Sequence, residues 1–276
     1  MQSTVLTACC LVFATISAAA PTEDGVNELF SDERRRGTVL LVGGALTPGG
    51  RTDQLLSYDV RQGSFRRLDV RLLAPRRSAN VGTFFGRRSR LVVAGGTITL
   101  PDGNGSRPTS SEVFIRGRFV PGPEMSAGRY QPGGAVVEIK FFVCGGVGGN
   151  RPNPQPPQPC DVYDTNTDSW DVTSSCPIVR GPRVGARAVA TNGDRIVVCG
   201  GGVTEGGVGR PDTLTRCERY DPSSDSWAVV PSLNQGRYNG AFVNVVEGFD
   251  RRTLRWRSLE EKVPTGIVGV ATAVFP

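Results

Sequence analysis

An apolar run closed by two glycines occurs four times in this chain. The copies are Val39-Leu40-Leu41-Val42-Gly43-Gly44, Leu91-Val92-Val93-Ala94-Gly95-Gly96, Phe141-Phe142-Val143-Cys144-Gly145-Gly146 and Ile196-Val197-Val198-Cys199-Gly200-Gly201. The first glycines stand at 43, 95, 145 and 200, so successive copies are 52, 50 and 55 residues apart. Self-similarity at this period means that each copy is one supersecondary unit, which buries its apolar surface against the next. A Val-rich run without polar alternation, ended by Gly, predicts a strand buried on both faces.

Two further features keep phase with the glycines. An aromatic–Asp pair is followed by a second aromatic seven residues on: Tyr58-Asp59 with Phe65, Tyr163-Asp164 with Trp170, Tyr220-Asp221 with Trp227, and Phe249-Asp250 with Trp256. The residues between are turn formers, as in Asp221-Pro222-Ser223-Ser224-Asp225-Ser226, which predicts a hairpin. The second repeat is the divergent copy, with Phe114 followed by Ile115 and the next aromatic at Phe119. An arginine also precedes a small-residue strand, as in Arg129-Tyr130 before Gly134-Ala135-Val136-Val137, and likewise at Arg183 and Arg237. Each repeat therefore predicts four antiparallel strands: small-residue, Gly-Gly, Tyr-Asp and Trp. The 36 glycines and 20 prolines in 276 residues suit many short strands joined by turns.

With these residues the sequence resembles the kelch-repeat family, whose pattern runs Gly-Gly, Tyr-Asp, Trp, then Pro and Arg. The resemblance covers residues 38–275. It implies an all-β fold, a kelch-type β-propeller of four-stranded blades around a central channel. About five blades are expected, the last one reduced. Tyr58 to Tyr163 spans 105 residues over two repeats and Tyr163 to Tyr220 spans 57, yet Tyr220 to Phe249 spans only 29. The missing part is the Gly-Gly strand, either because the blade is naturally reduced or because the product is truncated. The small-residue stretch from Gly266 to Phe275 is expected to complete the first blade and so remove a sheet edge.

The expected organisation is a signal peptide over residues 1–20, a linker over 21–37 and the propeller over 38–276. Residues 1–20 carry no charged side chain and end in Ser17-Ala18-Ala19-Ala20, the small residues of a secretory cleavage site. The competing reading is a buried first strand or helix. Export would permit disulfides and would make Asn104, in Asn104-Gly105-Ser106, a glycosylation acceptor. Cys144 and Cys199 each precede a Gly-Gly, and Cys160 and Cys217 each lie three residues before the Tyr. Adjacent antiparallel strands stand ~4.5–5.5 Å apart at Cα, within disulfide reach, whereas stacked sheets lie about 10 Å apart. The predicted bridges are thus Cys144–Cys160 and Cys199–Cys217, with Cys176 left over. The alternative is that all are small buried core residues in a reducing compartment.

The chain contains no His. Ser-His-Asp and Cys-His nucleophile systems and His-ligated metal sites are thereby excluded. So is the copper chemistry of galactose-oxidase-type enzymes on related propellers. No cofactor is expected. The net charge of +6 comes almost wholly from Arg, since only Lys140 and Lys262 are lysines. The arginines are dispersed and form no basic stripe with interleaved aromatics, so no nucleic-acid partner is expected, and no segment is long enough for a confident membrane span. The recurring Asp residues read as turn caps and the Trp residues as packing. What remains is a set of in-phase arginines, Arg129, Arg183 and Arg237, with Arg76 or Arg77 as the first copy. The resemblance places these near the channel mouth, where a ring of them could grip an acidic peptide. The opposing expectation is that each bonds to neighbouring-blade carbonyls. The functional expectation is a secreted, non-catalytic interaction scaffold binding a protein or acidic-peptide partner through loops and channel mouth. The alternative is a fragment or isoform of a cytoplasmic BTB–kelch-like adaptor that binds ubiquitin-ligase substrates or actin.

Overall fold

The computed structural model describes residues 38–46, 50–59, 64–84, 90–99, 105–148, 160–174, 183–191, 195–203, 212–236, 247–250 and 255–258. Every regular element among them is a β-strand. Three sheets have the four-stranded order expected of the repeat. One runs Arg118–Glu124, Ser110–Ile115, Arg90–Thr99, Arg76–Phe84; the next runs Gly133–Val137, Lys140–Cys144, Asp161–Asp164, Ser169–Val172. The third runs Arg187–Thr191, Arg195–Cys199, Cys217–Asp221, Ser226–Val230. The first repeat contributes three described strands, Thr38–Val42, Gln54–Asp59 and Ser64–Arg71. The last contributes the hairpin Glu247–Asp250 with Arg255–Ser258. The molecule is an all-β, kelch-type propeller. The expected leader and linker (1–37), Asn104, Cys176, Arg237 and the expected closing strand at 266–275 lie outside the described residues.

The seven-residue spacing has a direct geometric meaning. It sets Tyr58 opposite Phe65, Tyr163 opposite Trp170, Tyr220 opposite Trp227 and Phe249 opposite Trp256. In the third and fourth blades a four-residue turn closes the hairpin, and its last residue, Asp168 or Asp225, takes a positive φ. The second blade uses the same pairing, Phe114 opposite Phe119, with a shorter turn. Arg116 and Gly117 both have positive φ (50° and 80°), the two-residue turn that matches strand twist. The divergent spacing is therefore an altered turn on an unaltered blade.

The core lies in the seams between blades. Successive residues of a strand face opposite sides, so a Gly-Gly strand can feed two seams. Leu91 and Val93 pack with Leu40, Val42, Leu55 and Leu68 of the first blade, whereas Val92 and Ala94 pack with Phe141, Val143 and Tyr163 of the third. Phe142 and Cys144 then face Ile196, Val198 and Tyr220 of the fourth. This is why the runs are continuously apolar. The small-residue strand Gly133–Val137 contacts both Arg76–Phe84 and Arg187–Thr191, so these strands are the innermost around the axis. Their Gly and Ala residues allow that close approach.

Candidate functional site

The in-phase arginines sit at the entry to each innermost strand, and the structure buries them. Arg76, Arg129 and Arg183 are 2%, 0% and 5% exposed. Arg76 donates through Nη1 to the Gly95 (2.8 Å) and Ser110 (3.1 Å) carbonyls, and through Nη2 to Glu112 Oε1 (3.0 Å). Arg129 donates through Nε to Asp161 Oδ2 (2.5 Å) and through Nη1 to the Gly145 carbonyl (3.0 Å). Arg183 donates to the Gly200 carbonyl (2.7 Å), to the Arg216 carbonyl (2.6 Å) and to Glu218. One rule covers all three. The guanidinium caps the carbonyl of the first glycine in its own blade and pairs with an acid two residues ahead of the Tyr or Phe.

Those acids are Glu112, Asp161 and Glu218, at most 2% exposed. Glu112 also accepts from the Leu73 amide (2.7 Å), and Asp161 from the Ser126 amide (2.7 Å), groups on the connection leaving the preceding blade. Burial lowers the pKa of Arg76 and Arg129, while Glu112 and Asp161 oppose the shift. These arginines therefore face into the blades rather than the channel mouth, which removes Arg76, Arg129 and Arg183 from reach of an acidic peptide. Closure on internal carbonyls and carboxylates is the arrangement observed.

The glycines complete the same joint. Gly44, Gly96 and Gly146 donate to the carbonyls of Arg76, Arg129 and Arg183 in the next blade, at 2.8, 2.6 and 2.7 Å. Gly95 and Gly145 have φ of +72° and +67°, and a Cβ on either would stand 2.7 Å from the next arginine's carbonyl oxygen. A residue with a side chain is excluded twice, by conformation and by space. Each arginine thus ties the preceding blade with its backbone and its own blade with its side chain.

The aromatic hairpins tie the outer parts of the blades. Trp170 Nε1 donates to the Pro123 carbonyl (3.1 Å), and Trp227 Nε1 to the Ser174 carbonyl (3.3 Å), each across a seam. The Tyr220 hydroxyl donates to Asp225 Oδ1 (2.6 Å), which also accepts from the Ser174 amide (2.8 Å). Tyr163 donates in the same way to Asp168, and Arg90 of the second blade meets both groups at 2.6 Å. Burial, followed by the carboxylate, raises both tyrosine pKa values. Asp164 and Asp221 cap their turns, accepting from the Asn166 (2.7 Å) and Ser223 (3.1 Å) amides. The inter-blade role of the second turn Asp was not anticipated; its signal is the shared five-residue offset from Tyr.

Cys144 and Cys160, and Cys199 and Cys217, stand at disulfide distance, with Cα separations of 4.3 and 4.2 Å. Cys199 lies directly opposite Cys217, and Cys144–Cys160 continues the register beyond Val143–Asp161. Each pair joins a Gly-Gly strand to its Tyr-Asp strand at the end where the long loop begins. On that loop face, Arg107 of the second blade donates to the Gly148 carbonyl (2.9 Å) and lies over the Tyr130 ring, 5.8 Å from its centroid. Arg51 of the first blade reaches Thr97 and Thr99 of the second. Among the described residues, no three His, Cys, Asp or Glu side chains are grouped to hold a metal ion, and no helix is long and apolar enough to cross a membrane.

Comparison with known proteins agrees with this geometry. The kelch motif model matches residues 183–234, which covers the fourth blade from its buried arginine to the end of its Trp strand. A kelch-like protein of Aspergillus terreus, terF, is 27% identical over 135 residues. The match takes in 41% of this chain but 29% of the length of that relative. In the third and fourth blades Gly-Gly, Tyr-Asp, Trp and the buried arginine thus act together as one joint, and the fourth blade is a kelch motif.

Proposed function

We propose that this chain is a secreted, non-catalytic interaction scaffold that holds a protein or acidic-peptide partner on the loop face of the propeller. The observation that carries this reading is how the recurrent polar groups are used. Arg76–Glu112, Arg129–Asp161 and Arg183–Glu218 close on one another inside the blades. The repeated chemistry serves the fold, and the variable loops on that rigid frame are the surface left for recognition. Kelch repeats generally serve as protein-binding scaffolds, which supports the same reading. The two cysteine pairs support an oxidising destination, and the uncharged stretch over residues 1–20, ending in Ser17-Ala18-Ala19-Ala20, fits an export signal.

The test begins with the full chain expressed in a secreting eukaryotic cell. Intact mass is measured on native and reduced protein. The expected product is in the medium, starts near Ala20 or Pro21 and has four cysteines paired. Retention inside the cell, with the Met1 end intact and all thiols free, overturns secretion and leaves the cytoplasmic adaptor-fragment reading. Cross-linking in conditioned medium then tests the scaffold. A stoichiometric partner displaced by unlabelled chain is expected, and recovery of none refutes it.

A further inference from the structure

Two guanidinium groups on the loop face stand apart from the internal staples. Arg51 lies in the short hairpin of Ala45–Leu46 with Gly50–Arg51, in the first blade, and crosses the seam to the second. It donates through Nε to Thr97 Oγ1 (3.2 Å) and through Nη1 to Thr99 Oγ1 (2.6 Å), both uncharged acceptors. Arg77 is the cross-strand partner of Thr97. Opposed residues share a sheet face, so Arg77 projects to the side on which Arg51 covers Thr97. The Arg77 Nε is buried and has no hydrogen-bond partner among the described residues. None of the ion pairs among the described residues involves Arg51 or Arg77.

This arrangement differs from that of the three buried arginines among the described residues. Arg76, next to Arg77 in sequence, has Glu112; Arg129 has Asp161; Arg183 has Glu218. At the seam of the first two blades, two like charges act on one another without an ion pair to a carboxylate among the described residues. Burial first, and then the charge of Arg77, lowers the Arg51 pKa from its ordinary value, with Tyr130 acting in the opposite sense. Tyr130 also carries Arg107 over its ring, which adds a third guanidinium to the rim. Like charges in proximity cost free energy in the absence of a counter-charge, and a carboxylate offers that charge together with an acceptor for the Arg77 Nε.

We propose that Arg51 and Arg77, flanked by Arg107 and Tyr130, form the anion subsite of the loop face and receive a carboxylate side chain of an acidic peptide segment. This rests on the scaffold reading and names the partner chemistry at one place on it. The site replaces the expected ring of in-phase arginines. It uses the residue after the buried arginine, Arg77, together with a residue from the neighbouring blade, Arg51.

The test uses the full chain and a fluorescein-labelled hexaglutamate peptide, read by fluorescence polarisation, with hexaglutamine as the neutral probe. Wild type binds hexaglutamate and not hexaglutamine, with an affinity that falls as salt rises. Arg77→Gln and the double variant Arg51→Gln/Arg77→Gln weaken binding by about tenfold or more. Arg67→Gln/Arg118→Gln removes the same charge from exposed outer-strand positions and changes binding by about twofold at most. Thermal melting checks folding. Arg77→Gln leaves both threonine bonds of Arg51 in place, so it carries the test if the double variant unfolds. Absence of hexaglutamate binding by wild type, or an equal loss in Arg67→Gln/Arg118→Gln, overturns the site. If a cross-linked partner still binds the double variant as it binds wild type, the site falls and the scaffold stands. If hexaglutamate binding is lost in the double variant and no partner is ever recovered, the scaffold falls and the site stands.

Discussion

Replacing Arg129 by Met asks how much one buried staple contributes to the propeller. Arg129 and Asp161 are both 0% exposed, and the guanidinium also caps the Gly145 carbonyl. In Arg129→Met the aliphatic volume is roughly kept, but Asp161 retains only the Ser126 amide among the partners named above. Stranding a buried charge in this way costs about 3–5 kcal/mol. Against the roughly 5–15 kcal/mol that holds an ordinary domain folded, this is a large fraction. The double variant Arg129→Met/Asp161→Asn removes the stranded charge while keeping an acceptor for the Ser126 amide. It is expected to recover about half of the loss or more, because the pair itself contributes little beyond preventing an unpaired charge. Urea unfolding followed by Trp fluorescence is a suitable assay. Trp170 packs on Tyr163 and Phe141 in the seam that Arg129 closes, with ring centroids 5.4 and 6.0 Å apart. An Arg129→Met midpoint within experimental error of wild type would refute the argument. So would a double variant less stable than the single one.

Three other outcomes follow from the same joints. Removing the Cys144–Cys160 link by Cys144→Ser/Cys160→Ser opens a loop with a sequence separation of 16 and lowers stability by roughly 3 kcal/mol in the chain-entropy account, read as a shift in the urea midpoint under non-reducing conditions. Gly145→Ala forces a side chain to φ +67° and sets its Cβ 2.7 Å from the Arg183 carbonyl, so a loss of about 1–3 kcal/mol is expected in thermal melting, whereas Gly117→Ala, with open space around its Cβ, meets only the backbone part of that cost. Asp225 is held below the ordinary carboxylate range, chiefly by the Ser174 amide and then by the Tyr220 hydroxyl. A depressed carboxylate contributes stability that is present above its unfolded pKa and is lost as pH falls through the lower folded value. Melting of Asp225→Asn should therefore differ from wild type at neutral pH, with the gap closing below about pH 4.

The hairpins were legible because a seven-residue offset between aromatics is a local quantity. It translates directly into opposed residues, as Tyr163–Trp170 and Tyr220–Trp227 show. The cysteine positions were legible for the same reason, since equivalent places in adjacent strands of one sheet leave little freedom. The second repeat shows the limit of such counting. Its offset changes because Arg116-Gly117 makes a shorter turn, while the Phe114–Phe119 pair survives.

The arginines' partners were not legible, because recurrence says that a residue matters without saying what it touches. The acids they meet lie 32 to 36 residues further along, at the start of another strand. A retrospective signal existed: Glu112, Asp161 and Glu218 each precede the Tyr or Phe by two residues in the repeats that carry Arg76, Arg129 and Arg183. Two co-phased residues of opposite charge point to an internal pair more than to a ligand site.

By itself, the sequence determined that four-stranded units repeat about every fifty residues, that the Gly-Gly strands are buried on both faces, and that these 276 residues supply no His. These follow from periodicity and composition, which act within a strand or a hairpin. Only the tertiary structure decided that Arg129 turns inward to Asp161, and that Arg51 crosses a seam to Thr97, the cross-strand partner of Arg77. The physical reason is range. Strand and turn preferences are settled by neighbours a few residues away, whereas the environment of a charge is set by whichever blade closes against it.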